Sequence, residues 1–113
     1  MKVKFFLLIF LFIYSFLECK KKLIIISPHW EGVKIEITRA FSEWHEKIYK
    51  EKVEIEWIDQ GGTSDDLKYV ESLFKKNPDC IGIDLFFGGG LSPFLKLKEK
   101  KLLERYKLPQ NIL

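Results

Sequence analysis

Basic and acidic side chains nearly balance in this chain of 113 residues, which carries 19 of the former and 16 of the latter. Residues 1–18 contain Lys2, Lys4 and Glu18, so residues 19–113 keep 17 basic and 15 acidic side chains. This balance argues against nucleic acid as a partner, because phosphate binding needs a concentrated excess of positive charge. The length allows one small domain with a thin core.

The amino terminus has the pattern of an export signal, predicted over residues 1–18. Its apolar run, residues 5–17, is shorter than the roughly 20 residues of a comfortable transmembrane helix. Residues 16–19, Phe-Leu-Glu-Cys, resemble a bacterial lipoprotein box, which makes Cys19 the candidate for lipidation. Lipid attachment at Cys19, an uncleaved apolar anchor and cleavage elsewhere all remain open. Residues 19–22 are predicted as a basic spacer next to the membrane.

Strand and helix patterns alternate along the body, which predicts an α/β fold with a short parallel sheet and helices in three layers. The continuous apolar run at residues 23–26 predicts a central strand that is covered on both faces. A helix is predicted over residues 32–50, with Lys34 on its solvated face. The apolar stripe of this helix consists of Val33, Ile37, Ala40, Phe41, Trp44 and Ile48.

The next strand ends in a glycine corner. Alternating residues 53–58 predict a strand toward the sheet edge, and a helix that ends before Asn77 follows the corner. Thr63, with Asp66 three positions later, predicts a helix cap. Two interpretations remain open: these residues only start the helix, or Thr63 and Ser64 also contact a ligand.

A second glycine corner repeats this arrangement. It follows a strand predicted over residues 81–87 and contains three consecutive glycines at residues 88–90. The helix after it is predicted to begin at Ser92, with Pro93 as its first helical residue, and to run to about residue 101. Three glycines cost backbone entropy, which indicates a close approach by a ligand or another part of the protein.

The predicted strand order is 2-1-3, because the apolar run suits the centre and the alternating strand suits an edge. In such sheets ligands bind beyond the carboxyl ends of the strands, so the loops after the three strands should converge on one site. The predicted ligand-binding residues are Ser27, His29, Trp30, Gln60, Gly61, Gly62, Thr63, Ser64, Gly88, Gly89 and Gly90. No cofactor, metal site or catalytic set is predicted, since neither a nucleotide-binding motif nor a zinc-ligand spacing is present.

Three segments together carry a family resemblance: residues 27–32 (Ser-Pro-His-Trp-Glu-Gly), residues 56–66 around the first glycine corner, and residues 79–90 around the second. They resemble the amino-terminal part of bacterial extracellular solute-binding proteins of ABC importers, especially the iron(III)-type branch, over residues 23–108. The resemblance implies a periplasmic-binding-protein-like fold whose loops bind a small-molecule or ion solute. It also implies an ABC permease as partner, membrane contact through the amino-terminal segment, and location in the periplasm or on the outer face of the cytoplasmic membrane.

Members of that family have two lobes, so residues 23–113 are expected to be a truncated or split first lobe. Solute capture without enzymatic activity is the leading functional hypothesis. The first alternative is a small doubly wound enzyme that binds phosphate at the glycine loops, which requires a catalytic base near residues 88–90. The second alternative is a nonfunctional remnant tethered to the membrane.

Overall fold

The sheet is built around a central strand. A computed structural model describes residues 21–112, in which β1 (Lys21–Ile26) pairs in parallel with β2 (Val53–Ile58) on one side and β3 (Leu85–Phe86) on the other. The predicted order 2-1-3 is confirmed. The apolar run of β1 suits this position because Ile25 and Ile26, which point to opposite faces, are both buried.

The first strand begins two residues earlier than predicted, at Lys21. The ammonium group of Lys21 pairs with the Glu51 carboxylate at 2.6 Å, and Lys22 pairs with Glu56 of β2. These exposed ion pairs accompany the parallel register of Lys21 with Val53. Two lysines of the predicted spacer therefore belong to the sheet.

The third strand is much shorter than the prediction over residues 81–87, because only Leu85 and Phe86 pair with β1. Gly82 has a φ of 72°, which interrupts an extended backbone. The Asp84 carboxylate accepts the backbone N–H of Ile24 at 2.7 Å. The Asp84 side chain thus accepts the Ile24 N–H, which the backbone of a longer β3 would otherwise accept.

The helices are α1 (Glu31–Tyr49), α2 (Thr63–Lys76) and α3 (Leu91–Glu99), followed by a 3-10 turn at Gln110–Ile112. Their limits lie within two residues of the predicted ones. Asn77 ends α2 in an extended conformation, with φ −142° and ψ 91°, as expected for a residue that precedes proline. Within residues 21–112, no helix is long and apolar enough to cross a bilayer.

One face of the sheet carries the hydrophobic core. Ile26 lies in register with Ile58 and Phe86, so their side chains share that face. Helices α2 and α3 cover it. The buried cluster consists of Ile26, Leu67, Val70 and Leu97.

Helix α1 lies on the other face, where it contacts β2 through polar groups. Trp57 Nε1 donates to Thr38 Oγ1 at 2.8 Å, and Lys34 Nζ donates to Asp59 Oδ2 at 3.1 Å. Lys34 is buried, so its predicted place on the solvated face is wrong. Trp44 and Ile48, expected to point inward, remain 49% and 54% exposed. The polar contacts therefore set the rotation of α1 and turn part of its apolar stripe outward.

Two leucines of α3 give a matched test of the core. Leu97→Ala should lower the free energy of unfolding by about 2–5 kcal/mol, because Leu97 is 1% exposed and truncation leaves a cavity. Leu95→Ala is the control, since Leu95 is 47% exposed and should cost less than about 1 kcal/mol. Urea unfolding followed by circular dichroism measures both. Equal losses would contradict this assignment of the core.

Candidate functional site

The loops after the three strands meet at the carboxyl edge of the sheet. The first loop (residues 27–30) follows β1, the second (residues 59–62) follows β2, and the third (residues 87–90) follows β3. The Ser27 N–H donates to Ile58 O, and the Phe87 N–H donates to Ile26 O, both at 2.9 Å. These bonds extend the strand pairing past the strand ends and hold the loops together.

The third loop touches both of the others. The His29 ring lies against Gly88 and has its centroid 5.1 Å from that of Phe87. A Cβ on Gly89 would come within 2.8 Å of Thr63 Cγ2 and 3.1 Å of Thr63 Oγ1. Segments that are far apart in the chain, around His29, Thr63 and residues 88–90, therefore form one cluster.

The glycine run is explained in part by packing within the protein. Gly88, Gly89 and Gly90 have φ values of 91°, 83° and 77°, in the left-handed region that favours glycine. His29 and Thr63 also occupy the space that side chains would need at the first two positions. The sequence predicts a close approach to these glycines by a ligand or another part of the protein. In the structure, His29 and Thr63 of the neighbouring segments make that approach.

In the first loop, the three predicted residues have different environments. Ser27 is fully buried, and its hydroxyl oxygen accepts the His29 N–H at 3.3 Å. His29 is half-buried against the third loop. Trp30 is 73% exposed, and its ring crosses Gly32 at the start of α1. Of these side chains, Trp30 and the ring of His29 are accessible to a solute, whereas Ser27 supports the loop.

The first backbone N–H groups of the second loop donate to nearby aspartates and are not available to a ligand. The Gln60 N–H donates to Asp66 Oδ1 at 2.7 Å, and the Gly61 N–H donates to Asp59 Oδ1 at 2.9 Å. Asp65 and Asp66 N–H groups bond to Gly62 O, as the first turn of α2 requires. The backbone donors left for a ligand are consequently those of Thr63 and Ser64.

Two of the three helices that begin at this edge, α2 and α3, start after a glycine N-cap, which corrects the predicted caps. Gly62 is the N-cap of α2 and Gly90 that of α3, and neither helix has a side-chain cap hydrogen bond. Thr63 is therefore the first helical residue, and Ser92 lies inside α3. The hydroxyl of Thr63 is not used for capping, and the positive ends of the dipoles of all three helices lie at the loop cluster.

Three charged side chains beneath the loops, Lys34, Asp59 and Asp66, form a cluster that the sequence analysis did not predict. Lys34 of α1 pairs with Asp59, and Asp66 lies fully buried nearby at the start of α2. Within residues 21–112, Asp66 Oδ2 has no hydrogen-bond partner. One signal was available: Asp59 continues the alternation of Val53, Ile55 and Trp57, which points it toward α1, where Lys34 lies in the first turn.

The two carboxylates have pKa shifts in opposite directions. Burial raises the pKa of Asp66, although the Gln60 N–H opposes this shift. The Gly61 N–H and then the Lys34 ammonium hold the pKa of Asp59 below its ordinary value. Asp59 therefore stays ionised beside Lys34, while Asp66 favours its protonated form more than an exposed aspartate does.

Within residues 21–112, no group of three or more His, Cys, Asp or Glu side chains is arranged to hold a metal ion. A cleft of about 460 Å³ beside β3 is lined by apolar side chains such as Phe74, Ile83 and Leu102, and by none of the predicted ligand-binding residues. The predicted signal at residues 1–18 and the lipidation at Cys19 lie outside the described residues.

Comparison of the chain with protein-family models, with curated proteins and with solved structures finds no match. Among the predicted ligand-binding residues, Trp30, His29, Gln60, Thr63 and Ser64 have groups that remain free to contact a solute.

Substitution at two glycines tests the contact between the second and third loops. Gly89→Ala and Gly82→Ala both place a side chain at positive φ, 83° and 72°, which costs about 1–2 kcal/mol. Only the Cβ at position 89 meets another group, Thr63, whereas the space around Gly82 is open. Gly89→Ala should therefore destabilise the protein by about 1–3 kcal/mol more. Addition of Thr63→Ala should remove most of that difference in urea unfolding, and its persistence would contradict the contact.

The pH dependence of stability tests the buried carboxylate. Because the pKa of Asp66 is raised in the folded protein, its favourable contribution is present at low pH and is lost as the pH rises through the folded pKa. Asp66→Asn cannot ionise and still accepts the Gln60 N–H. Its stability relative to the parent should thus increase between about pH 3 and pH 7.

At neutral pH we expect Asp66→Asn to gain about 1–2 kcal/mol, since a buried amide costs less than a buried carboxylate. Asp65→Asn, on the exposed neighbour, is the control and should change stability by less than about 0.5 kcal/mol. Urea titrations at several pH values measure these differences. A parent that gains stability over Asp66→Asn as the pH rises would refute this sign.

Proposed function

We propose that this domain belongs to the solute-capturing lobe of an extracellular solute-binding protein of an ABC importer. One observation carries the proposal: loops from three separate parts of the chain meet at the carboxyl edge of a parallel 2-1-3 sheet. Ligands of open α/β sheets bind in this position. The family resemblance of residues 27–32, 56–66 and 79–90 lies in the same loops.

The groups at this edge suit a small solute with hydrogen-bond acceptors. The N–H groups of Thr63 and Ser64 have no partner in the first turn of α2, and the Thr63 hydroxyl makes no cap bond. The helix dipole adds positive potential at the same point. Trp30, in the first loop of the same edge, offers an exposed aromatic surface. Together these groups form one wall of a binding cleft, and a second lobe supplies the other in this proposal.

The edge of β3 is consistent with a larger sheet. β3 pairs with β1 alone among the described strands, and Leu85 is 46% exposed. The cleft of about 460 Å³ lies at the same side of the domain, and its lining includes the apolar residues Ile83, Leu85 and Leu102. Further strands of a first lobe would pack there, and solute held at the loops would pass to an ABC permease in the membrane.

The enzyme alternative has one observation in its favour. It requires a base near the third loop, and the His29 ring lies against Gly88. The ring also packs on Phe87, and Ser27, the nearest hydroxyl in its own loop, accepts a backbone bond. No nucleophile is therefore paired with His29 among the described residues, and solute binding remains the proposal that the geometry supports better.

Solute binding should raise the melting temperature of the full chain. A thermal-shift series with sugars, oligopeptides, oxyanions and ferric chelates finds the solute class, because a ligand of the folded state stabilises it by mass action. With the solute that gives a shift, Thr63→Val should weaken binding about tenfold, the effect of one lost hydrogen bond. The same substitution should leave the melting temperature without solute nearly unchanged.

Ser42→Ala on α1 is the matched control, because Ser42 lies near Lys52 and Val53 at the opposite end of the domain. It removes a hydroxyl and should bind the solute like the parent. A melting temperature insensitive to every solute, or equal affinities for Thr63→Val and Ser42→Ala, would refute binding at this edge.

A further inference from the structure

The last turns of α1 expose a compact group of large side chains. Trp44, Ile48 and Tyr49 are 49%, 54% and 56% exposed. The rings of Trp44 and Tyr49 have centroids 5.7 Å apart, and Phe41 lies 5.7 Å from Trp44 on the other side. The aromatic contacts hold this surface in one arrangement. We call Trp44, Ile48 and Tyr49 the basal patch.

Lysines and glutamates lie next to the basal patch in the sequence and on α1. Lys47 lies one turn after Trp44, Lys50 ends the helix in a left-handed conformation, and Lys52 follows it. None of the three makes an ion pair with another residue in 21–112. Glu46 and Glu43 lie beside Lys47 and Lys50 and offset part of this charge. This end of α1 therefore has exposed aromatic rings close to lysines that form no ion pair within residues 21–112.

The chain enters the domain at this end. The ion pair of Lys21 with Glu51 holds the start of β1 beside the residues that follow α1, and His45 Nδ1 lies 2.9 Å from Glu51 O. Residues 18–20 separate Lys21 from the apolar run at residues 5–17. Three extended residues reach at most about 10 Å. A bilayer that holds the apolar run would therefore lie within reach of the basal patch.

We propose that the basal patch rests on the headgroup region of an anionic bilayer. Tryptophan and tyrosine prefer this region because each has an apolar body and a polar tip. The lysines are attracted to negatively charged lipids at short range. Trp44 follows Trp30 by 14 residues along α1, and an α-helix rises 1.5 Å per residue, so the loop cluster lies roughly 20 Å from the patch and faces away from the membrane. This orientation does not depend on which solute binds.

Trp30 and Trp44 allow a test within a single helix. Both are exposed, and they lie at opposite ends of α1. The variant Trp30→Phe/Trp57→Phe retains Trp44 alone, and Trp44→Phe/Trp57→Phe retains Trp30 alone. Each full-length variant is mixed with vesicles of phosphatidylglycerol and brominated phosphatidylcholine, and its fluorescence is measured. Quenching of Trp44 should exceed that of Trp30 by about twofold or more, because bromine quenches only at short range and Trp30 lies far from the bilayer.

Equal quenching of the two tryptophans, or no quenching of Trp44, would overturn the proposal. Protection of Trp44 from aqueous iodide without quenching by bromolipid would also overturn it, because a second copy of the chain or its own apolar run would then cover the patch. If the Trp57→Phe background does not fold, Trp44→Phe and Trp30→Phe in the parent chain supply the comparison. Only Trp44→Phe should then remove the lipid-quenchable fluorescence.

Charge reversal tests the contribution of the lysines. Lys47→Glu/Lys50→Glu should lower the quenching of Trp44 in vesicles that contain phosphatidylglycerol, and should change it little in neutral vesicles. Lys75→Glu/Lys76→Glu makes the same change in charge at the end of α2, on the other face of the sheet. This control should retain the quenching. Equal losses from the two pairs would overturn the assignment to the basal patch.

Discussion

The hydrogen bonds that hold β1 between β2 and β3 are the constraint on which the rest of the domain depends. They continue beyond the strands, where Ser27 donates to Ile58 and Phe87 donates to Ile26. The chain therefore leaves all three strands at one edge, and residues distant in sequence, such as His29 and Gly88, come into contact. The same parallel pairing sends α1 back to the other edge, so that the loop cluster and the basal patch lie at opposite ends.

The helices are held to the two faces of the three-stranded sheet by different interactions. One face buries Ile26 and Leu97 in an apolar cluster, which supplies most of the hydrophobic stabilisation. The other face is joined to α1 by the Thr38 and Lys34 contacts, so hydrogen bonds and an ion pair set the position of the helix. A buried ammonium is tolerated only with a partner, and Asp59 supplies it. The second loop is thereby tied to α1 as well as to β2.

The alternation of strands and helices, the order 2-1-3 and the meeting of the loops could all be predicted, because hydrophobic periodicity and the handedness of parallel crossovers are local or general rules. The helix caps could not. Thr63 has the right spacing for a capping box, but the positive φ of Gly62 starts the helix one residue earlier and releases the threonine hydroxyl. The shortness of β3 could not be predicted either. It depends on the bond from the Ile24 N–H to the Asp84 carboxylate, which joins residues 60 positions apart in the chain.

The kind of each element and the order of the elements follow from the sequence, because apolar spacing, glycine corners and proline positions act through the nearest few residues. The side of α1 that faces the sheet, and the backbone donors of the second loop that stay unbonded, depend on contacts between distant segments of the chain. Lys34 is buried and Trp44 exposed because one helix above a narrow sheet is oriented by its few polar contacts with β2 and the loop after it. The cost of burying the Lys34 ammonium is offset by its pairing with Asp59, and this occurs only when residues 34, 38, 57 and 59 are brought together in space.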